Sequence, residues 1–512
     1  MKKRILLLTC ILLYVNYLSA QSDVKINEPF LSRNFPVSSI NELEVNTSYG
    51  NITVTGDAVS EAIVEVFITK SSITNNGVTV FDGLLGKFLK RFWGVKTVKS
   101  NDDINQSFDE NYIVTIELKD GKLFAISEQK KDVLEQNQQY YSVSFKISVP
   151  QYINSNLNTT NGYIKIANLS GKQELKSNYG SLKIEESSGN ISGKTSNGSI
   201  NISYSKDNID LSTKYGNIKA NSCQGDITLK SSNGSLKLND LDGKINISTG
   251  YGSISVDNVS GSIIGKSSNG GIKVSNTKEE IDLTTSYGNI SAIDCSGKIT
   301  LNTNNGSLKL NFLNGTINAN SGYGGVSVDN VSGNITVKTT NGNIKVTDTK
   351  NNINLTTGYG SISAKYCSGK IMLQSKTGGI SLDNISGNIE ASTNYGAITA
   401  FDINGTLLLT TSNGGIKLDA ISGSVEAKTS FGNINLTMDK VNDYVKLTNR
   451  GSVNITLPQD KGYNMNVKAE QIEPLKVNNF SGTMNSKNID GIIDNGGPEI
   501  EIKTSGRVNM TF

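Results

Sequence analysis

Histidine is absent from all 512 residues, and the chain has only four cysteines. A transition-metal site needs His or clustered Cys, so no such ligand set exists here and no cofactor is expected. The Gly-Gly-x-Gly-x-Asp corners that supply carboxylate and carbonyl ligands to calcium β-rolls are missing as well; corners here read Asn-Gly-Ser or Tyr-Gly-Asn. No segment reaches the ~20 consecutive apolar residues of a membrane span. Excess charge is also lacking. The chain has 49 Lys and Arg against 46 Asp and Glu, and Lys2, Lys3 and Arg4 account for the difference. At the level of the whole chain this leaves no electrostatic footprint for nucleic acid or an anionic membrane.

What the sequence does have is a metronome. Sixteen glycines recur every 18 residues from Gly162 to Gly432 without a slip. A repeat that tolerates no insertion over so many periods is one structural unit stacked on copies of itself. Each period halves into two units of alternating apolar and polar residues, as in Gly252-Ser253-Ile254-Ser255-Val256 and Gly261-Ser262-Ile263. Alternation of period two predicts strands, with glycine providing the positive φ of a tight corner. The fold class expected is all-β: a single-stranded parallel β-helix, or β-solenoid, with two short strands and two turns per 18-residue coil.

Three columns test that expectation. The second-strand position is Ile at every step from Ile191 to Ile389, then Leu407 and Val425, and the first-strand position from Ile164 to Ile434 is always a branched aliphatic. A third column of matching parity, Thr159 to Thr429, is Ser or Thr throughout. It predicts an inward hydroxyl ladder bonded to turn backbone.

The residue before the corner glycine alternates between an aromatic class and an Asn class. Tyr179, Tyr215, Tyr251, Tyr287, Tyr323, Tyr359 and Tyr395, then Phe431, form the first; Asn161 to Asn413 form the second, with Thr377 the exception. The 36-residue superperiod admits a four-stranded coil of 36 residues as the alternative. The scarcity of large interior aromatics favours 18. The tyrosines either cap the edge of the core or form a stripe that stacks on sugar rings. Cys223, Cys295 and Cys367 recur every 72 residues. At four coils, about 19 Å, they cannot pair as disulfides, and they read as small apolar filler.

At the start, Lys2-Lys3-Arg4, the apolar run from Ile5 to Leu18, and cleavage between Ala20 and Gln21 read as a signal peptide over 1–20. The protein is therefore expected to be exported to the periplasm, cell surface or exterior. Residues 21–158 read as a β-rich N-terminal cap with one amphipathic helix at about 83–93, 159–440 as the regular solenoid, and 441–512 as C-terminal coils and cap. Lys119-Asp120-Gly121-Lys122 signals a hairpin.

The run Val149-Pro150, then Leu157 to Ile166, then repeated Ser/Asn-Gly-x-Ile units resembles the bacterial "putative adhesin" family of domains of unknown function. It is also similar to the head GIN auto-transporter adhesins. The resemblance implies a right-handed parallel β-helix on an exported protein, and it carries no catalytic motif. The function expected is a non-enzymatic adhesin or envelope structural protein, with surface glycans, envelope components or other cell-surface proteins as partners. The enzyme alternative is a polysaccharide lyase or hydrolase, which would gather carboxylates in one groove. Asp257, Asp329 and Asp383 recur near one corner, and Lys165, Lys237, Lys273, Lys309, Lys345 and Lys417 form an outward column. Both repeat as a solvated face does, whereas an active site breaks symmetry once.

Overall fold

The computed structural model describes residues 28–71, 108, 111–130, 140–459 and 461–512. The signal-peptide reading over 1–20 and the helix at about 83–93 lie outside these residues. The described chain is all-β, a parallel stacked solenoid of about 17 turns with about 18 residues per turn. It divides into two compact units, Met1–Gly180 and Ser181–Phe512.

Register fixes the coil at 18 residues and excludes 36. In the second unit the first strand of one coil, Ile254–Val259, pairs in parallel with Leu236–Leu241 and Ile272–Thr277, so that Ile254 stands opposite Leu236 and Ile272. The second strand, Ile263–Ser267, pairs with Ile245–Thr249 and Ile281–Thr285 in the same way. Each coil adds one rung to each of two parallel sheets. The predicted columns are its core: Ile254, Val256, Ile263 and their counterparts are at most a few per cent exposed.

One backbone feature was invisible in the sequence. Late in each first strand, residues at 18-residue steps from Glu186 to Ala420 adopt left-handed φ values of 48 to 55°. At this point the in-out alternation shifts by one, so Val259, Cys223 and Val331 turn inward and are about 2 % exposed or less. Asn and Asp, which tolerate this region best, fill eight of the positions, but Tyr204, Phe312 and Ala420 occupy it too.

The corner glycines have a different purpose from the one expected. Those of the 18-residue column in the second unit are not left-handed. A β-carbon on Gly252 would sit 2.1 Å from the Gly234 carbonyl oxygen, and one on Gly234 would sit 1.8 Å from that of Gly216. Stacked backbones meet too closely there for any side chain. Positive φ belongs to the opposite corner, as at Gly225 (114°) and Gly243 (115°). The hydroxyl column supports the crowded corner. Thr249 Oγ1 donates to Gly234 O (2.8 Å) and accepts from Gly252 N (3.2 Å), and Thr213 does the same with Gly198 O (2.9 Å) and Gly216 N (3.1 Å).

Each unit closes its free end by an insertion. In the first, Glu42–Thr47 and Ile52–Asp57 form a coil in register with Asn154–Thr159 and Ile164–Ala167. Lys122–Gln129 and Tyr140–Pro150 cover its other side in parallel, followed by antiparallel Tyr112–Lys119, Glu61–Ser71 and Leu31–Pro36. Asp120 (φ 51°) and Gly121 (φ 79°) make the predicted hairpin turn. Phe108, Tyr112 and Tyr141 pack as a ring cluster with centroids 5.3 to 5.7 Å apart, supplying the large buried side chains that the regular coils lack. In the second unit the final strands, Glu499–Thr504 and Arg507–Thr511, lie between the coil containing Tyr444–Asn449 and Val453–Thr456 on one side and Tyr463–Lys468 and Gln471–Ile472 on the other. Antiparallel Asn488–Ile493 and Phe480–Met484 end one sheet. Antiparallel additions of this kind terminate a parallel stack that would otherwise template further strands.

Candidate binding edge

The residue before each corner glycine is held by its backbone and released by its side chain. Tyr251 N donates to Ser232 O (3.1 Å), Tyr287 N to Ser268 O (3.0 Å) and Tyr323 N to Asn304 O (2.8 Å), tying each turn to the coil before it. The rings point outward: from Tyr215 at 55 % exposed to Tyr251 at 67 %, with Tyr359 and Tyr395 at 61 %. Tyr179, in the first unit, is 61 % exposed. The expectation that these rings cap the core edge is therefore overturned. Branched aliphatics and the hydroxyl ladder already fill that edge, leaving no void for a ring.

In the second unit the tyrosines occupy every other coil, so neighbours are about 9.6 Å apart along the stack. That exceeds the ~4.5–7 Å at which aromatic rings pair with one another. Each is a separate platform on a rigid backbone. Lys214 lies over the Tyr215 ring at 5.3 Å and Arg450 over Phe431 at 5.6 Å, so the faces can receive cations. Beside them runs a shallow groove of about 520 Å³ across four coils, lined by hydroxyls and amides such as Thr284, Ser286, Asn302, Asn304 and Asn320, with Lys338 at one end. Tyr287 directly follows Ser286. The groove offers hydrogen-bonding groups next to a stacking surface, a combination suited to a sugar.

The carboxylates do not converge. Asp257 and Asp329 are four coils apart, about 19 Å along the stack, whereas paired glycosidase carboxylates stand ~5–9.5 Å apart. Asp383 pairs with Lys365 at 2.7 Å. Asp257 accepts from Ser275 Oγ (2.7 Å) and Asn276 Nδ2 (2.8 Å); the Ser275 bond foremost holds its carboxyl below the usual range, against a smaller opposing effect of burial. Among the described residues no group of three or more His, Cys, Asp or Glu could hold a metal ion. Cys223, Cys295 and Cys367 are buried and unbridged, and desolvation raises their thiol pKa values. Thr349 Oγ1 donates to Cys367 Sγ (3.2 Å). Burial of this kind is what apolar filler requires and leaves the thiols inert.

The fold and edge define a class: a β-solenoid with a repeated, regularly spaced surface. Within it, residues 334–510 match the Toastrack DUF4097 family, a domain of unknown function. A Clostridium sporogenes protein described as a putative cell adhesion protein is similar at 9 % identity and a TM-score of 0.18, covering 44 % of this chain and 97 % of that one. No curated protein matches the chain.

Proposed function

We propose that this chain is an exported, non-enzymatic β-solenoid that acts as an adhesin or binding component at the cell surface or envelope, with glycans contacting the tyrosine stripe. The observation that carries the reading is the row Tyr215 to Tyr395, more than half exposed and repeated at a fixed two-coil step. Exposed aromatics on a soluble surface are ordinarily isolated; a rigid periodic row of them is a platform for a periodic ligand. Export is supported by the leader pattern of residues 1–20, and a relation to the head GIN auto-transporter adhesins by the run from Val149 to Ile166. Envelope components and cell-surface proteins are the other partner classes the reading admits.

The test is retention of the full chain on immobilised glycans and envelope fragments, compared with a Tyr251→Ser, Tyr287→Ser, Tyr323→Ser variant. Because the three rings contribute little to the core, the variant should fold and its retention should drop by about tenfold or more. Equal retention of both proteins would remove the stripe from the function. No retention on any surface would replace adhesion by a purely structural role.

A further inference from the structure

Folding the sequence onto the 18-residue coil separates its charges by edge. In the second unit, fourteen consecutive coils each wrap eight residues around the tyrosine corner, from 194–201 to 428–435. These segments contain thirteen lysines and not one Asp or Glu. The thirteen ten-residue stretches between them, which carry the opposite corner, contain seventeen Asp and Glu and seven Lys. A chain whose charges nearly balance as a whole, 49 basic against 46 acidic, is thus basic along one edge of these coils and acidic along the other. All thirteen lysines are exposed, and of these thirteen only Lys428 forms an ion pair among the described residues, with Glu426.

The lysines also keep time with the rings. Lys230 and Lys237 flank the corner of one coil, Tyr251 projects from the next, Lys266 and Lys273 flank the one after, and Tyr287 follows. Each of the seven non-aromatic coils carries at least one lysine, paired at 230/237, 266/273 and 338/345, and ten of the thirteen lysines lie on these coils, between aromatic platforms that repeat at about 9.6 Å. We infer that this edge binds a linear anionic polysaccharide carrying one acidic group per disaccharide. This deepens the surface-binding reading above and rests on it.

Three features select that ligand. The two-coil step is close to the length of one β-linked disaccharide, so successive rings meet equivalent sugars and the one or two lysines of each intervening coil meet equivalent acids. The hydroxyl and amide groove across coils 284–340 provides partners for sugar hydroxyls. Charge density is the third: about one lysine per 5 Å of edge is sparse beside duplex DNA, with one phosphate per ~1.7 Å. Acidic side chains at the far corner would also oppose a densely charged polymer that wrapped around the coil.

The probe is hyaluronan, which carries one carboxylate per β-linked disaccharide, tested on the full chain at low and physiological salt. Comparators are carboxyl-reduced hyaluronan, poly-L-glutamate and poly-dT. One variant carries Lys230→Gln, Lys266→Gln and Lys338→Gln. A control makes the same charge change at the other corner with Lys206→Gln, Lys278→Gln and Lys350→Gln. Circular dichroism verifies that both fold. The expected result is salt-sensitive binding of hyaluronan, weakened roughly tenfold or more by carboxyl reduction and by the first variant, and unchanged in the control.

Equal binding of the carboxyl-reduced polymer would overturn the charge inference while leaving glycan binding in place. Poly-L-glutamate or poly-dT binding as tightly as hyaluronan would also overturn it, as would equal loss in both variants. Salt-sensitive self-association with no polymer bound would assign the basic edge to the acidic edge of a second copy instead. Failure on every glycan and envelope surface would remove the underlying reading as well.

Discussion

Thr249→Val changes one hydroxyl to a methyl at nearly constant shape, which makes it a clean probe of the corner. Thr249 is 5 % exposed, and its hydroxyl bonds Gly234 O at 2.8 Å and Gly252 N at 3.2 Å. Valine leaves both backbone groups unpaired in a packed site, at about 1–3 kcal/mol each. The added methyl returns about 1 kcal/mol of burial. A net loss of about 1–5 kcal/mol follows, confined largely to adjacent coils because a solenoid's stability is a sum over neighbours. Native-state hydrogen exchange at the Gly252 amide reads it directly. Since about 1.4 kcal/mol is a factor of ten, protection there should fall at least about fivefold, and on the order of a hundredfold at the middle of that range. Thr249→Ser keeps both bonds and should stay near wild type, as Ser231 and Ser267 do in the native ladder. If Val and Ser variants exchange alike, or if protection falls equally at Gly396 in a distant coil, the ladder does not support the corner as described.

Gly252→Ala should cost on the order of 3 kcal/mol in thermal or denaturant unfolding, because the new methyl meets backbone rather than a movable side chain; a near-neutral result would mean the coils can separate locally. Ile263→Asp, at 1 % exposed, should cost on the order of 3–5 kcal/mol, while Ser255→Asp on the outer face should change little; equal effects would contradict the inward and outward assignment. Asp257 titrates below the ordinary carboxylate value, so its contribution is present above the unfolded pKa, ~3.9, and is lost as pH falls through the folded value. Ser275→Ala should move that titration upward in an NMR measurement, and an unmoved midpoint would exclude the Ser275 hydrogen bond as the cause.

The stacked columns could be read without coordinates because every coil imposes the same demand on the same position. Ile at second-strand positions and Ser or Thr below the corner have one explanation each, repeated until it is unambiguous. Positive φ holds at opposite-corner glycines such as Gly225 and Gly243 but not in the Gly198–Gly432 column; spacing alone cannot distinguish a left-handed residue from one that admits a neighbouring carbonyl at contact. The left-handed column escaped notice because Glu186, Tyr204, Phe312 and Ala420 share no chemical signature. The sequence leaves the tyrosines two uses, capping the core edge or an outward stripe, because spacing alone does not show that the edge is already filled. The charge separation was present in the sequence throughout. It emerges only when lysines and carboxylates are placed by coil position rather than summed.

The inserted end coils have a mechanical consequence. Thr456 and Thr511 share a hydrogen bond (2.8 Å) across 55 residues of chain, and Tyr163 N meets Asn51 Oδ1 (3.1 Å) across 112. In each unit the outermost regular coil is a buckle, threaded under strands that come from elsewhere in the sequence. Such long-range closure is slow to form, because a large loop must be ordered before any contact repays it. A repeat array ordinarily frays from its tips; here the strand Arg507–Thr511 pairs over Val508–Thr511 with Val453–Thr456 and at Arg507 and Val508 with Gln471–Ile472, so releasing this coil means breaking contacts to two separate segments of chain.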